Sequence, residues 1–127
     1  SVSIDLKKDF FGNYKRYNNS SGKLESINLE KFCEEIQENG AGELIMNYVD
    51  KDGTFSGYDL SHASLIKDKI KIPVIINNGC SGLSSMIEAN NIGFHAFAAT
   101  SIFVFYGEER GILPSFIDFE ILQEKLI

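Results

Sequence analysis

Gly40-Ala41-Gly42-Glu43-Leu44-Ile45-Met46-Asn47-Tyr48-Val49-Asp50-Lys51-Asp52-Gly53-Thr54 is the stretch on which the fold of this 127-residue chain turns. Leu44 to Val49 form an apolar run of the length of a buried strand, ending at Asp50. Upstream, Asn28 to Asn39 sets Leu29, Phe32, Cys33 and Ile36 at i, i+3, i+4 and i+7, with Asn28 as N-cap and Gly40 as stop. That stripe must lie on a sheet. A helix feeding directly into a buried strand predicts parallel βα units, because a crossover helix is what returns the chain to start a parallel neighbour.

The pattern occurs four times. Val2-Ser3-Ile4 reads as a strand ending at Asp5, Val74-Ile75-Ile76 as one ending at Asn77, and Ala96 to Ala99 with Ile102 and Phe103 as a fourth, interrupted by Thr100 and Ser101. Further helices are expected from Ser61 to Ile70, from Ser84 to Asn91 before Gly93, and from about Asp118 to the end. Phe10 to Ser26, with Tyr14 and Tyr17 ahead of Asn18-Asn19-Ser20-Ser21-Gly22, predicts an excursion of hairpin type over one rim. The fold class is therefore α/β. Four such units make either an open flavodoxin-like sheet with helices on both faces, or half of an eight-stranded barrel with helices on one face only.

Apolar residues are 43% of the chain and charged ones 24%, which suits a globular domain and excludes a disordered one. Twelve Lys+Arg against 18 Asp+Glu leave a net charge of −6, so nucleic acid is not an expected partner. No apolar run reaches the ~18 residues that would span a bilayer, so no membrane partner is expected either, and the default location is the cytoplasm. Cys33 and Cys80 do not sit at metal-ligand spacing, and no metal or cofactor is expected. The chain opens at Ser1 directly inside a strand-like run, which suggests that it is a piece of a longer polypeptide.

Every predicted strand reaches a polar group at its C-terminal end, where parallel α/β folds keep ligands and catalysts. Asp50-Lys51-Asp52-Gly53-Thr54 puts two carboxylates at i, i+2 just past a buried strand; they form either an Asp-Gly turn or a site. The EF-hand pattern fails for want of a closing Glu. Asp5 shares that rim and is the candidate general acid–base. Asn77-Asn78-Gly79-Cys80-Ser81-Gly82 is a turn into a helix whose amides suit an anion, with the Thr100 and Ser101 hydroxyls able to join it. Glu43, Pro73 and His95 lie at the opposite, N-terminal ends. His62 and His95 read as structural, Cys33 as core, and Phe103, Phe105 and Tyr106 as packing between the strand and the outer helices.

With Asp5, the DKDGT–SGYD segment from Asp50 to Asp59, the Asn77-Asn78-Gly79 turn and Ala99-Thr100-Ser101 in this order, the chain resembles the C-terminal half of the HisF family, the cyclase subunits of imidazole glycerol phosphate synthase. The resemblance implies the last four βα units of a (β/α)₈ TIM barrel. It implies a HisH-like glutaminase partner whose ammonia crosses the barrel to a phosphorylated small-molecule substrate. By position it implies Asp5 as catalytic aspartate and Asp52 as its supporting aspartate, with Asp50 and Thr54 as substrate-binding residues beside it. Asn77, Asn78, Gly79, Thr100 and Ser101 fall at a substrate-phosphate site, and Glu43 at the ammonia entrance. Two features depart from the usual pattern. Asn77-Asn78-Gly79 stands where the family has Ser-Gly-Gly, and side chains there restrict the approach of an anion to the backbone. The opening Ser3-Ile4-Asp5-Leu6-Lys7-Lys8 and closing Phe103-Val104-Phe105-Tyr106-Gly107 look more like the HisF-like branch linked to amidation of surface-polysaccharide sugars than like the histidine-pathway lyase that forms imidazole glycerol phosphate and AICAR. A half-barrel is expected to be inactive alone and to need its missing N-terminal half or self-association.

Overall fold

In the computed structural model, which describes residues 1–94 and 96–126, six strands form one sheet in the order β3-β2-β1-β4-β5-β6. Strands β1 (Val2–Lys8), β4 (Leu44–Tyr48), β5 (Val74–Asn77) and β6 (Phe97–Ala98) run parallel; β2 (Tyr14–Asn18) and β3 (Lys23–Glu25) form an antiparallel hairpin on β1. The helices α1 (Leu29–Glu38), α2 (Leu60–Lys67) and α3 (Leu83–Asn91) supply the crossovers, and α4 (Phe119–Leu126) packs beside α3. A small hairpin of β7 (Phe105–Tyr106) and β8 (Gly111–Ile112) precedes α4.

Side-chain alternation divides the parallel strands into two faces. Ile4, Leu6, Leu44, Met46, Tyr48, Val74 and Ile76 are buried and share one core with Leu29, Cys33, Ala63, Ile66, Met86 and Ala89 of the three helices. The alternate residues, among them Asp5, Ile45, Asn47, Ile75 and Asn77, stay half-exposed. The crossover helices α1, α2 and α3 thus cover one face of the parallel strands, which is not the two-faced arrangement of a flavodoxin-like sheet.

α1 begins where expected, with the Asn28 side chain accepting from the Lys31 amide at 2.9 Å. Gly40, at φ +91°, takes the left-handed conformation that lets the chain turn from α1 toward β4. Three expectations need correction. β1 continues past Asp5 to Lys8, because Leu6, Lys7 and Lys8 pair with Arg16, Lys15 and Tyr14 of the hairpin. The fourth parallel strand is only Phe97–Ala98; Ile102 falls in a 3₁₀ turn over Ser101–Phe103 that folds the chain back over the rim. Phe103 does pack on the core, but Phe105 and Tyr106 lie in the small hairpin, 37% and 69% exposed. His95 lies outside the described residues.

The hairpin is fastened across β1 to α2. Tyr14 donates its hydroxyl to Asp59 Oδ2 at 2.8 Å, and Asp59 also caps α2 by accepting from the His62 amide and the Ser61 hydroxyl. Burial pushes the Asp59 carboxyl upward, but these three donors together with the Lys51 charge outweigh it and hold the group below its usual value. Lys8 Nζ lies 3.8 Å from the same carboxylate and over the Tyr14 ring. Beneath, the fully buried Tyr48 meets His62 Nδ1 through its hydroxyl at 2.9 Å and packs edge-on to Tyr14. His62 is structural, as the sequence suggests.

Burial lowers the His62 pKa, with the nearby Asp59 charge only partly opposing it. A histidine with a depressed folded-state pKa favours the native state at high pH, because only the unfolded chain takes up its proton readily. That contribution is complete above the unfolded value of about 6.5 and shrinks as pH falls from there toward the folded value. Urea titrations should therefore give an unfolding free energy that falls below about pH 6.5, with a shallower slope in His62→Gln. Equal slopes for the two proteins would show that His62 carries none of the dependence.

Candidate functional site

In-phase parallel pairing sets Asp5, Asn47, Asn77 and Ala98 in one row across β1, β4, β5 and β6, at the C-terminal ends of the strands and on the open face. The side chains of Asp5, Asn47 and Asn77, joined by Asn78, form a directed ladder. Asn47 Nδ2 donates to Asp5 Oδ1 at 2.7 Å, and Asn77 Nδ2 and Asn78 Nδ2 donate to Asn47 Oδ1 at 2.9 and 2.8 Å. Asn19, in the turn of the β2–β3 hairpin, donates to the other Asp5 oxygen. Asp5 is thus held on both oxygens by amides, in reach of the open face. At the far end Asn77 Oδ1 is buried and has no donor among the described residues.

The Asp50–Thr54 loop divides between structure and site. Asp50 Oδ2 accepts the Lys8 amide at 2.7 Å, fastening the end of β1 to the 3₁₀ turn Val49–Lys51, so Asp50 acts as a turn and strand cap. Thr54 is likewise occupied: its hydroxyl donates to the Lys51 carbonyl at 2.9 Å and meets Ser56 Oγ at 2.7 Å. Asp52 differs. It is exposed, and its carboxylate has no hydrogen-bond partner among the described residues.

Asp52 lines a tight cleft with Gly53, Phe55, Asn78, Gly79, Thr100 and Ser101. The cleft encloses about 10 Å³, room for about one water. Its narrowness follows from the turn after β5. Asn78 sits at φ +74° with its side chain bound into the ladder. Gly79, at φ +95°, presses against the 53–57 loop, receiving the Gly57 amide on its carbonyl at 2.7 Å. Lys51 Nζ, 3.0 Å from the Gly57 carbonyl, closes the same contact from outside. A Cβ on Gly79 would overlap the Gly57 carbonyl oxygen.

Glu43, half-buried, precedes Leu44 at the other end of the sheet; its carbonyl accepts the Val2 amide at 3.1 Å. Four residues of strand, about 13 Å, separate the levels of Glu43 and Asp5. Cys80 is buried with Sγ 3.4 Å from Ser85 Oγ, a packing position and not that of an open nucleophile. Among the described residues no three His, Cys, Asp or Glu side chains come together as a metal-ligand set. Sequence reasoning missed Asn47 and Asn19. Asn47 was legible as the polar member of the alternation Met46-Asn47-Tyr48, in phase with Asp5; Asn19 was not, since only the hairpin brings it to β1.

Residues 1–109 match the profile of a family described as histidine biosynthesis protein. The chain belongs to that family. It is HisF-like: it is 41% identical over 105 residues to a hisF2 protein of Campylobacter jejuni, named as a candidate imidazole glycerol phosphate synthase subunit. It is also 36% identical over 103 residues to the imidazole glycerol phosphate synthase subunit HisF of Petrotoga mobilis. A hisF3 protein of Vibrio vulnificus, named like the first, is 30% identical over 119 residues. These alignments cover 83%, 80% and 91% of the HisF-like chain but only 40%, 41% and 45% of the relatives. The chain thus spans under half the length of the proteins it matches. The family and the parallel α/β architecture place it among TIM-barrel-type folds.

The contact of Gly79 with Gly57 gives a graded expectation. Gly79→Ala should lower stability by about 2–3 kcal/mol, since it combines a left-handed backbone with an overlap on backbone. Gly53→Ala has the same kind of φ, +65°, but nothing nearer its added Cβ than Ser101 Oγ at 3.9 Å, and should cost about 1 kcal/mol. Chemical denaturation of both variants checks the order.

Proposed function

We propose that the chain forms the C-terminal half of a HisF-like barrel, the synthase subunit of a glutamine-dependent amidotransferase pair. In this reading a HisH-like glutaminase delivers ammonia at the Glu43 end, and the nitrogen is used at the Asp5 mouth. The carrying observation is the row Asp5–Asn47–Asn77: a carboxylate at the strand C-termini, on the face that the helices leave open and at the end opposite Glu43. Crossover helices on one face only, with Val2 to Asp5 paired on one side by β4 and without a strand on the other among the described residues, support completion by a further set of strands. Asp5 serves as acid–base group, with Asp52 facing the same rim as a free carboxylate.

For the acceptor we favour a sugar of surface polysaccharide over the imidazole-forming substrate of histidine biosynthesis. Support comes from the crowding at residues 77–79: with Asn78 tied to Asn47 and Gly79 against Gly57, side chain and loop stand where an anion would approach the backbone of this part of the turn. The histidine-pathway lyase is the second reading, favoured by the free Asp52 carboxylate at the position that the resemblance gives to the supporting aspartate. The cytoplasm, where glutamine and glutaminase subunits meet, is the proposed location.

The full-length protein carrying this chain should fail to restore growth to a histidine auxotroph lacking the cyclase subunit. Restored growth would reverse the preference between the two acceptors. In the complete complex with its glutaminase, Asp5→Asn should abolish transfer of glutamine nitrogen to product while glutamine hydrolysis continues. Undiminished transfer would reduce the subunit to an ammonia conduit.

A further inference from the structure

We propose that Asn47 is the positioning residue of the Asp5 carboxylate, with Asn77 and Asn78 fixing the direction in which Asn47 donates. The inference deepens the acid–base reading of Asp5 and rests on it for its functional consequence, but its structural content stands on the ladder alone. Two amide donors, Asn77 Nδ2 and Asn78 Nδ2, converge on Asn47 Oδ1. An oxygen that accepts twice cannot be exchanged with its own NH₂ group without opposing donors to donors, so the Nδ2 of Asn47 faces Asp5. Turned over, Asn47 would set its oxygen against a carboxylate oxygen.

Each link polarises the next toward the negative end, which strengthens the last bond to Asp5 beyond that of an isolated amide. The buried Asn77 Oδ1, without a donor among the described residues, fits this arrangement: the amides point their NH₂ groups toward Asp5, and the row ends in an acceptor. Asn47 and Asn77 are carried on adjacent core strands, so the orientation is set by rigid elements. The second contact to Asp5, from Asn19, comes from a hairpin turn. Asn47 is therefore the fixed support, and the Asn19 side is the one from which a substrate can reach the carboxylate.

The test uses the full-length protein labelled with ¹⁵N-asparagine. Asp5→Ala should shift the side-chain amide pair of Asn47 and, through it, those of Asn77 and Asn78, while Asn39 and Asn90, which bond to backbone carbonyls elsewhere, stay in place. Unmoved Asn77 and Asn78 signals would overturn the ladder whatever the protein catalyses. In the complete complex, Asn47→Asp and Asn47→Ala separate positioning from packing. Aspartate keeps the shape but replaces the donor with an acceptor facing Asp5, so a positioning role makes it the worse variant, with kcat down about 10- to 100-fold and KM within threefold. A packing role makes alanine the worse. Asn47→Asp at wild-type kcat, with Asp5→Asn inactive, would overturn the proposal while leaving the acid–base reading intact. Asp5→Asn retaining activity, with the amide shifts observed, would overturn that reading and leave the ladder standing.

Discussion

The in-phase parallel pairing of β1, β4 and β5 is the constraint on which the rest of the molecule depends. Parallel strands hold equivalent residues level, and strand alternation sends each level to one face or the other. Ile4, Met46 and Ile76 share a level and enter the core; Asp5, Asn47 and Asn77 share the next and face away from it. A slip of one residue at β4 would bury Asn47 and expose Met46, so the apolar set that stabilises the fold also fixes the polar row. Site geometry here is a by-product of core registration.

The β2–β3 hairpin adds what the parallel units cannot supply. It lengthens β1 by pairing with Leu6 to Lys8, covers part of an otherwise open edge, and sends Asn19 back to Asp5. Its anchorage explains why polar groups crowd the outer side of this corner: Tyr14, Asp59, His62 and Tyr48 satisfy one another where three elements meet. None of these four faces the Asp5 row. They hold the rim that presents it.

The loops after β4 and β5 are bound to each other. Gly57 and Gly79 exchange a short backbone bond, Lys51 reinforces it, and Asn78 is drawn sideways into the ladder. The asparagines at 77 and 78 extend the amide row, and the backbone bond between Gly57 and Gly79 narrows the cleft beside it.

The sequence by itself determined the order of elements, the cap at Asn28, the buried runs of β1, β4 and β5, and the polar groups at their ends, because periodicity and capping are local properties. It overextended the fourth strand: the apolar residues Ile102 and Phe103 serve a 3₁₀ turn that only its packing over the rim defines. It left open whether Asp50 was a cap or a ligand group, since that depends on the Lys8 amide, 42 residues away. Only the tertiary structure decided that Asp50 and Thr54 are occupied while Asp52 has no hydrogen-bond partner among the described residues, and that Asn19 and Asn47 grip Asp5 from two sides. A hydrogen bond between distant residues has no period in the chain; it exists once strands are aligned, and alignment is a property of the whole sheet.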